Sequence, residues 1–217
     1  MCIRDSPNTL IFDAGDIFQG TPYFNFFQGE LELNLMKKMG YNAATIGNHE
    51  FDAGLDILKR NILNNDFQFI SSNYDFTITT LEGLVSKYKI YKKQDVKIGV
   101  FGLGIELNGL VNSTLYKETK YYDPIEISNE MTHILKEEEK CDLIICISHL
   151  GHTYQDDKIS DLKLGSLTSD IDLIIGGHTH TLLKKPEIVK NSKNKDVIIN
   201  QVGCLLYTSP SPRDPIG

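Results

Sequence analysis

Four short polar motifs, each following directly on an apolar run, set the limits on what this chain can fold into. The densest is Gly47-Asn48-His49-Glu50-Phe51-Asp52, where an amide, an imidazole and two carboxylates crowd into one turn after the β-leaning run 41–46. Asp16 follows the run 9–12, His149 follows 142–147, and Gly176-Gly177-His178-Thr179-His180 follows 171–175. Core packing has no use for such clusters at the ends of buried strands. An open α/β sheet does, because it builds its sites from loops beyond the carboxyl ends of its strands. Residues distant in sequence converge there while the sheet fixes their separation.

The segments between the motifs fit that architecture. Leu31, Leu35, Met36 and Met39 recur at helical spacing over 29–39, with Gly40 as the stop. Leu55, Leu58, Ile62 and Leu63 share one face of a helix over 55–64, and 67–70 reads as a strand. From Tyr88 the pattern changes: 88–91 and 96–101 flank the polar 92–95, which predicts a hairpin. A helix over 126–140 ends in a charge run read as a solvated face, a second spans about 157–167, and 197–199 is the last strand. Strands alternating with helices predict an α/β fold, and the hairpin makes the sheet mixed. At 217 residues the chain suits one α/β domain whose core needs no disulfides. Residues 1–6 and 204–217 do not match the rest in character and read as non-native ends, leaving a partial domain over 7–203.

The formal net charge of -7 argues against a nucleic-acid polymer or an anionic membrane surface as partner. It leaves room for an anionic small molecule if bound cations reverse the local field. No apolar run approaches the roughly 18 residues that span a bilayer. The four cysteines have no CxxC spacing, and Cys146, inside an apolar run, reads as a small buried hydrophobe.

The motif residues carry metal and proton chemistry. An aspartate after Gly15 can meet a cation through each oxygen, although Asp16 also suits a turn. Asn48 offers a neutral oxygen ligand, which leaves the adjacent His49 free for proton or charge work. Asp52, three residues on, can hold the His49 ring and stabilise its cation. The competing reading makes this turn a helix N-terminus, with Asn48 as cap and Glu50 and Asp52 facing the dipole. Glu50 is assigned to that structural role. His178 and His180 would share one face of an extended segment and could chelate together. His152 and His133 read as exposed. Asp, Asn and His ligands together suit zinc or manganese better than calcium or magnesium.

Taken together, Gly15-Asp16, Gly47-Asn48-His49-Glu50, His149 and Gly176-Gly177-His178-Thr179-His180 resemble the calcineurin-like metallophosphoesterase superfamily. The fuller strings Phe12-Asp13-Ala14-Gly15-Asp16, Gly47-Asn48-His49-Glu50-Phe51-Asp52 and Ser148-His149-Leu150-Gly151 are similar to its bacterial 5′-nucleotidase branch, over about residues 8–203. The resemblance implies a four-layer α/β/β/α sandwich with two divalent metal ions, zinc, manganese or similar, at the sheet edge. By motif, Asp16 would bridge the metals, Asn48, His149 and His178 would complete one shell, and His180 would join the other. His49, oriented by Asp52, would stabilise the transition state while a metal-activated water attacks a small phosphoester, in this branch a nucleotide. A separate C-terminal nucleotide-binding domain and a periplasmic or exported location are also implied, although no signal peptide is visible. Nucleotide sugars, cyclic nucleotides and general phosphomonoesters are alternative substrates, and a non-catalytic metal-binding protein is the alternative function. The superfamily's first-strand Asp-x-His motif, which serves the second metal, has no counterpart, since no histidine precedes His49. The chain as written is therefore expected to be impaired in turnover.

Overall fold

The first half of the chain makes a small parallel sheet covered by helices. Strand β1 (Phe12–Asp13) pairs with β2 (Ala43–Ala44), and Ala44 bridges to Phe69. Helices α1 (Pro22–Phe27), α2 (Glu30–Met39) and α3 (Leu55–Asn65) belong to this half. The ends of α2 are written in the sequence. Glu30 and Glu32 sit in the first turn and Lys37 and Lys38 in the last, opposing the helix dipole. Gly40 then turns left-handed and donates its N–H to the Lys37 and Met36 carbonyls. The computed structural model describes residues 6, 8–20, 22–65 and 67–204. The two ends read as non-native thus lie outside the described residues, except for Ser6 and Cys204.

Between the halves, β3 (Tyr74–Asp75) pairs antiparallel with β6 (Lys120–Tyr121), which follows the short helix α4 (Ser113–Tyr116). The expected hairpin forms from β4 (Tyr88–Lys93) and β5 (Val96–Leu103). It opens a six-stranded mixed sheet of order β4-β5-β7-β8-β10-β9, with β7 (Leu143–Ser148), β8 (Leu173–Gly176), β9 (Glu187–Lys190) and β10 (Asp196–Asn200). Strands β5, β7, β8 and β10 run parallel, and the two edge strands run antiparallel to them. Lysines on both edges, Lys89, Lys92 and Lys93 on β4 and Lys190 on β9, discourage edge-to-edge pairing. Helix α5 (Pro124–His133) begins at the Asp123 cap, whose carboxylate accepts from the Ile125 and Glu126 N–H groups, and continues as a π-turn over Ile134–Glu138. Helix α6 is Asp161–Leu167.

Three apolar clusters stack these parts into four layers. The first joins Leu33, Met36, Leu55 and Leu58 of α2 and α3 to Ala44, Ile46 and Phe69 of the small sheet. The second packs Ile127 and Met131 of α5 and Leu164 of α6 on Phe101, Cys146 and Ile174 of the large sheet. The third lies between the sheets, with Ala43 and Ile70 against Val100, Ile145 and Ile147. The order is α/β/β/α, as the resemblance implied, and the central strands are apolar throughout because both faces are covered. Cys146 is fully buried, as expected.

Several expectations shift. The strand over 41–46 narrows to Ala43–Ala44, and 67–70 contributes only bridges through Phe69 and Ile70. In α2 the buried apolar residues are Leu33 and Met36, while Leu35 and Met39 face solvent. In α3, Leu63 is exposed and Asn61 is buried, its amide donating to the Gln28 carbonyl at 2.5 Å. A polar residue whose donor is paired can hold a core position that hydrophobic spacing assigns elsewhere. Strand β9 went unforeseen because only one of its faces is covered: Ile188 is 64% exposed.

The two sheets come into close contact at Gly102 of β5, whose carbonyl accepts the Ser72 N–H at 2.7 Å. A Cβ at Gly102 would lie 2.1 Å from the Ile70 carbonyl oxygen and 2.7 Å from Thr45 Oγ1. Relief requires moving one sheet against the other. Gly102→Ala should therefore cost about 1–3 kcal/mol, read from urea unfolding; an unchanged midpoint would show that the sheets do not pack as described.

Candidate metal centre

Each sequence motif lies just beyond the carboxyl end of a strand. Asp16 follows β1, Gly47–Asp52 follows β2, His149 follows β7, and the glycine–histidine motif follows β8. The small sheet thus delivers Asp16 and Asn48, and the large sheet delivers His149 and His178. They meet where the two sheet edges adjoin.

Glu50 fixes the first pair of loops. It is fully buried, and its carboxylate accepts backbone N–H groups from Asp16 at 2.9 Å, Ile17 at 2.6 Å, Phe18 at 3.3 Å and Gly47 at 2.6 Å. The structural role assigned to Glu50 holds, but through a different device. It does not face a helix dipole; it gathers the donors of two loops onto one side chain. Burial, with the Asp16 carboxylate adding to it, pushes the Glu50 carboxyl up to about 7. The loops approach so closely that a Cβ on Gly47 would fall 2.4 Å from Asp16 Oδ1. Only glycine fits.

Asp16 itself has φ 61°, a left-handed conformation that aspartate tolerates better than most residues. Its Oδ1 accepts the His49 N–H at 2.8 Å, and its Oδ2 lies 2.9 Å from His149 Nε2. His149 is wholly buried, and its Nδ1 lies 2.6 Å from the Ala14 carbonyl. That carbonyl can only accept, so the proton belongs on Nδ1 and the Nε2 lone pair faces inward. His178 Nδ1 lies 3.3 Å from the same Nε2. A carboxylate oxygen and two imidazole nitrogens, all within 4.8 Å of one another, therefore converge with their lone pairs. Such an arrangement needs a positive charge among them, either a proton or a metal ion.

The electrostatics follow. Burial opposes charge on His149, but the Asp16 carboxylate outweighs it and raises the imidazole pKa. Burial would raise Asp16, and His149 more than reverses this, so that carboxyl is lowered. Burial and the neighbouring His149 bring His178 down to about 4, which leaves its nitrogen unprotonated at neutral pH. Asn48 is buried, caps nothing, and its Oδ1 has no hydrogen-bond partner. An orphaned amide oxygen on the turn that binds Asp16 suits a hard oxygen ligand better than an N-cap. A carboxylate oxygen and two imidazole nitrogens within reach of one another, with an unpartnered amide oxygen on the adjoining turn, are donors that suit a divalent ion.

His49 stands beside this group with Nδ1 2.7 Å from Asp52 Oδ2 and its ring 45% exposed. Burial works against its charge, but the Asp52 hydrogen bond and the Asp16 carboxylate raise its pKa overall. With Nδ1 committed to Asp52, Nε2 is the nitrogen available to a substrate. His180 is exposed and is not among the three grouped ligands. The extended segment expected for His178 and His180 does not form: their φ values are 67° and 53°. His152, expected at the surface, is buried, its N–H donating to Thr179 Oγ1 at 3.0 Å and its ring lying 3.4 Å from Glu187. His133 is exposed, as expected.

Sequence reading missed Asp161. It begins α6, is fully buried, and accepts the Ser148 hydroxyl at 2.6 Å, directly behind His149. Its other oxygen has no partner, and burial lifts its carboxyl to about 7. The only available signal was its place after the capping Ser160, which marks a helix start and nothing more.

Comparison with known proteins gives a consistent picture. Residues 2–182 match the family model of calcineurin-like phosphoesterases. The chain is 34% identical to the trifunctional nucleotide phosphoesterase protein YfkN of Bacillus subtilis, over 88% of its own length and 15% of that protein. It is 33% identical to a 5′-nucleotidase of Vibrio vulnificus, over 85% of its length and 35% of the relative. The crystal structure of a 5′-nucleotidase precursor from Thermus thermophilus superposes with a TM-score of 0.80 at 31% identity, covering 90% of this chain and 40% of that one. The chain thus spans well under half the length of these relatives.

Because the folded state holds the Asp161 proton up to about 7, it binds that proton more tightly than the unfolded chain does. The contribution of Asp161 to stability therefore falls as pH rises from the ordinary carboxylate range toward that value. Asp161→Asn should remove this decline, separating the two unfolding free energies by up to about 1.4 kcal/mol per pH unit. Parallel pH profiles, measured by urea unfolding with a chelator present, would contradict the assignment.

Proposed function

The chain belongs to the calcineurin-like phosphoesterase family, and on that premise we propose that it hydrolyses phosphoesters of nucleotides, using divalent metal ions. Family membership carries the requirement for divalent ions. The observation that supports this site for them is the convergence of Asp16, His149 and His178 lone pairs within 4.8 Å. In this reading Asp16, Asn48, His149 and His178 would hold one ion, and Asp16 and His180 would supply ligands to a second. Zinc or manganese matches the donors. When bound, such ions supply Lewis acidity to the phosphoryl group and lower the pKa of water.

The protein groups supply the rest. Glu50 holds the Asp16 and Gly47 loops in register, so the ligand oxygens do not reorganise during the reaction. His49, half-exposed beside these residues and with its protonated form favoured by the Asp52 hydrogen bond, presents Nε2 to the phosphoryl oxygens or the leaving group, where it stabilises developing charge and can deliver a proton. Asp52 fixes the ring orientation through Nδ1.

The substrate reading rests on the relatives: those described above are named for nucleotide phosphoesters. Their extra length leaves room for a second domain that selects the base, joined to one catalytic domain over 7–203. No helix among the described residues is long and apolar enough to cross a membrane. The word precursor in the Thermus protein's name supports an exported location.

The test is phosphate release from a nucleoside 5′-monophosphate with manganese, in this chain with an Asp-x-His strand added at its N-terminus. His49→Ala should lower kcat by about 10²–10⁴-fold with bound manganese unchanged, whereas Asp16→Asn should lose the metal and the activity together. Full activity of either variant would sink the assignment of its residue.

A further inference from the structure

Gln201, directly after β10, is 1% exposed, and its side chain is spent on the loop that carries His178 and His180. Its Nε2 donates to the Gly177 carbonyl at 2.5 Å. Its Oε1 accepts the Thr181 N–H and, at 3.1 Å, the Thr179 hydroxyl. The same Thr179 oxygen accepts the His152 N–H at 3.0 Å and lies 3.0 Å from Thr181 Oγ1. One amide therefore closes both ends of the segment 177–181, and one hydroxyl ties that segment to the loop after His149. Between these anchors the backbone passes through His178 and His180 in left-handed conformations, which histidine keeps only where its surroundings hold it.

We propose that Gln201, acting through Thr179, is a positioning residue for the metal centre: it sets where His178 stands relative to His149, and thereby the affinity and ligand geometry of the bound ion. The proposal rests on the metal reading above. Two features make the side chain more than filler. Its amide oxygen and nitrogen meet complementary groups on the same five-residue segment, so exchanging either end for an apolar group leaves a polar group of the loop without that partner. The network also joins the two loops whose histidines stand 3.3 Å apart, so a slip at Gln201 is passed to the ligand pair. The same signature seen at the other motifs, a polar residue following an apolar run, here 197–199, marks this position in the sequence.

Cobalt(II) is the probe, because its visible absorption band reports ligand geometry as well as occupancy. Titrated into the full chain, it should bind Gln201→Leu and Thr179→Val at least about tenfold more weakly than the parent, in the range typical of groups that orient metal ligands. Both variants should show an altered band, while Thr179→Ser, which keeps the hydroxyl, should restore affinity and band. Parent-like affinity and band in Gln201→Leu and Thr179→Val would overturn the proposal and leave the metal reading intact. If circular dichroism shows Gln201→Leu unfolded, the Thr179→Val and Thr179→Ser pair decides alone by the same criterion. No cobalt binding by the parent would remove the metal reading and this inference with it.

Discussion

The carboxylate of Glu50 is the contact on which the rest of the site depends. Four backbone N–H groups from two loops donate to it, and those of Phe18 and Gly47 lie where solvent does not compensate their loss. An unsatisfied buried donor costs about 1–3 kcal/mol, so this single acid replaces several separate turn devices. It also creates an imbalance: with Asp16 alongside, two carboxylates share a largely buried space. The imbalance is answered by the proton that the raised Glu50 carboxyl holds, and by His149, His49 or a bound cation. A structural acid thus predisposes the neighbouring loops toward cation binding without itself being a ligand.

The four-layer arrangement explains why the candidate ligands come from two sheets. Asp16 and Asn48 end strands of the small sheet, and His149 and His178 end strands of the large one. The apolar cluster between the sheets, around Ala43, Ile70, Val100 and Ile147, sets their separation. Close-packed interiors transmit displacement, so the site is only as well formed as that interface. The left-handed backbone at Asp16 and His178 is the local cost of turning strand ends inward, on the order of 1–3 kcal/mol each, and the surrounding hydrogen bonds hold it.

Much of this was legible in the sequence. The motifs after the runs at 9–12, 41–46, 142–147 and 171–175 put Asp16, Asn48, His149 and His178 beyond strand ends, because apolar periodicity locates strand ends well. The pairing of His49 with Asp52 followed from a three-residue spacing in a turn. What stayed hidden depends on tertiary partners. Glu50 has the spacing of a dipole-facing acid and gives no sign that it reaches back to Ile17 and Phe18. Asp161 and Asn61 look like surface residues of amphipathic helices until their buried partners are known. The spacing of His178 and His180 suggested a shared face, which the positive φ at both residues abolishes.

The most direct test is where a metal ion goes. Crystals of the chain soaked in manganese, with data collected to reveal its anomalous scattering, should show a peak bounded by Asp16 Oδ, Asn48 Oδ1, His149 Nε2 and His178 Nδ1, at ordinary ligand distances. A peak elsewhere, or none in a crystal whose manganese content is confirmed, would contradict the claim that these four side chains form a metal centre.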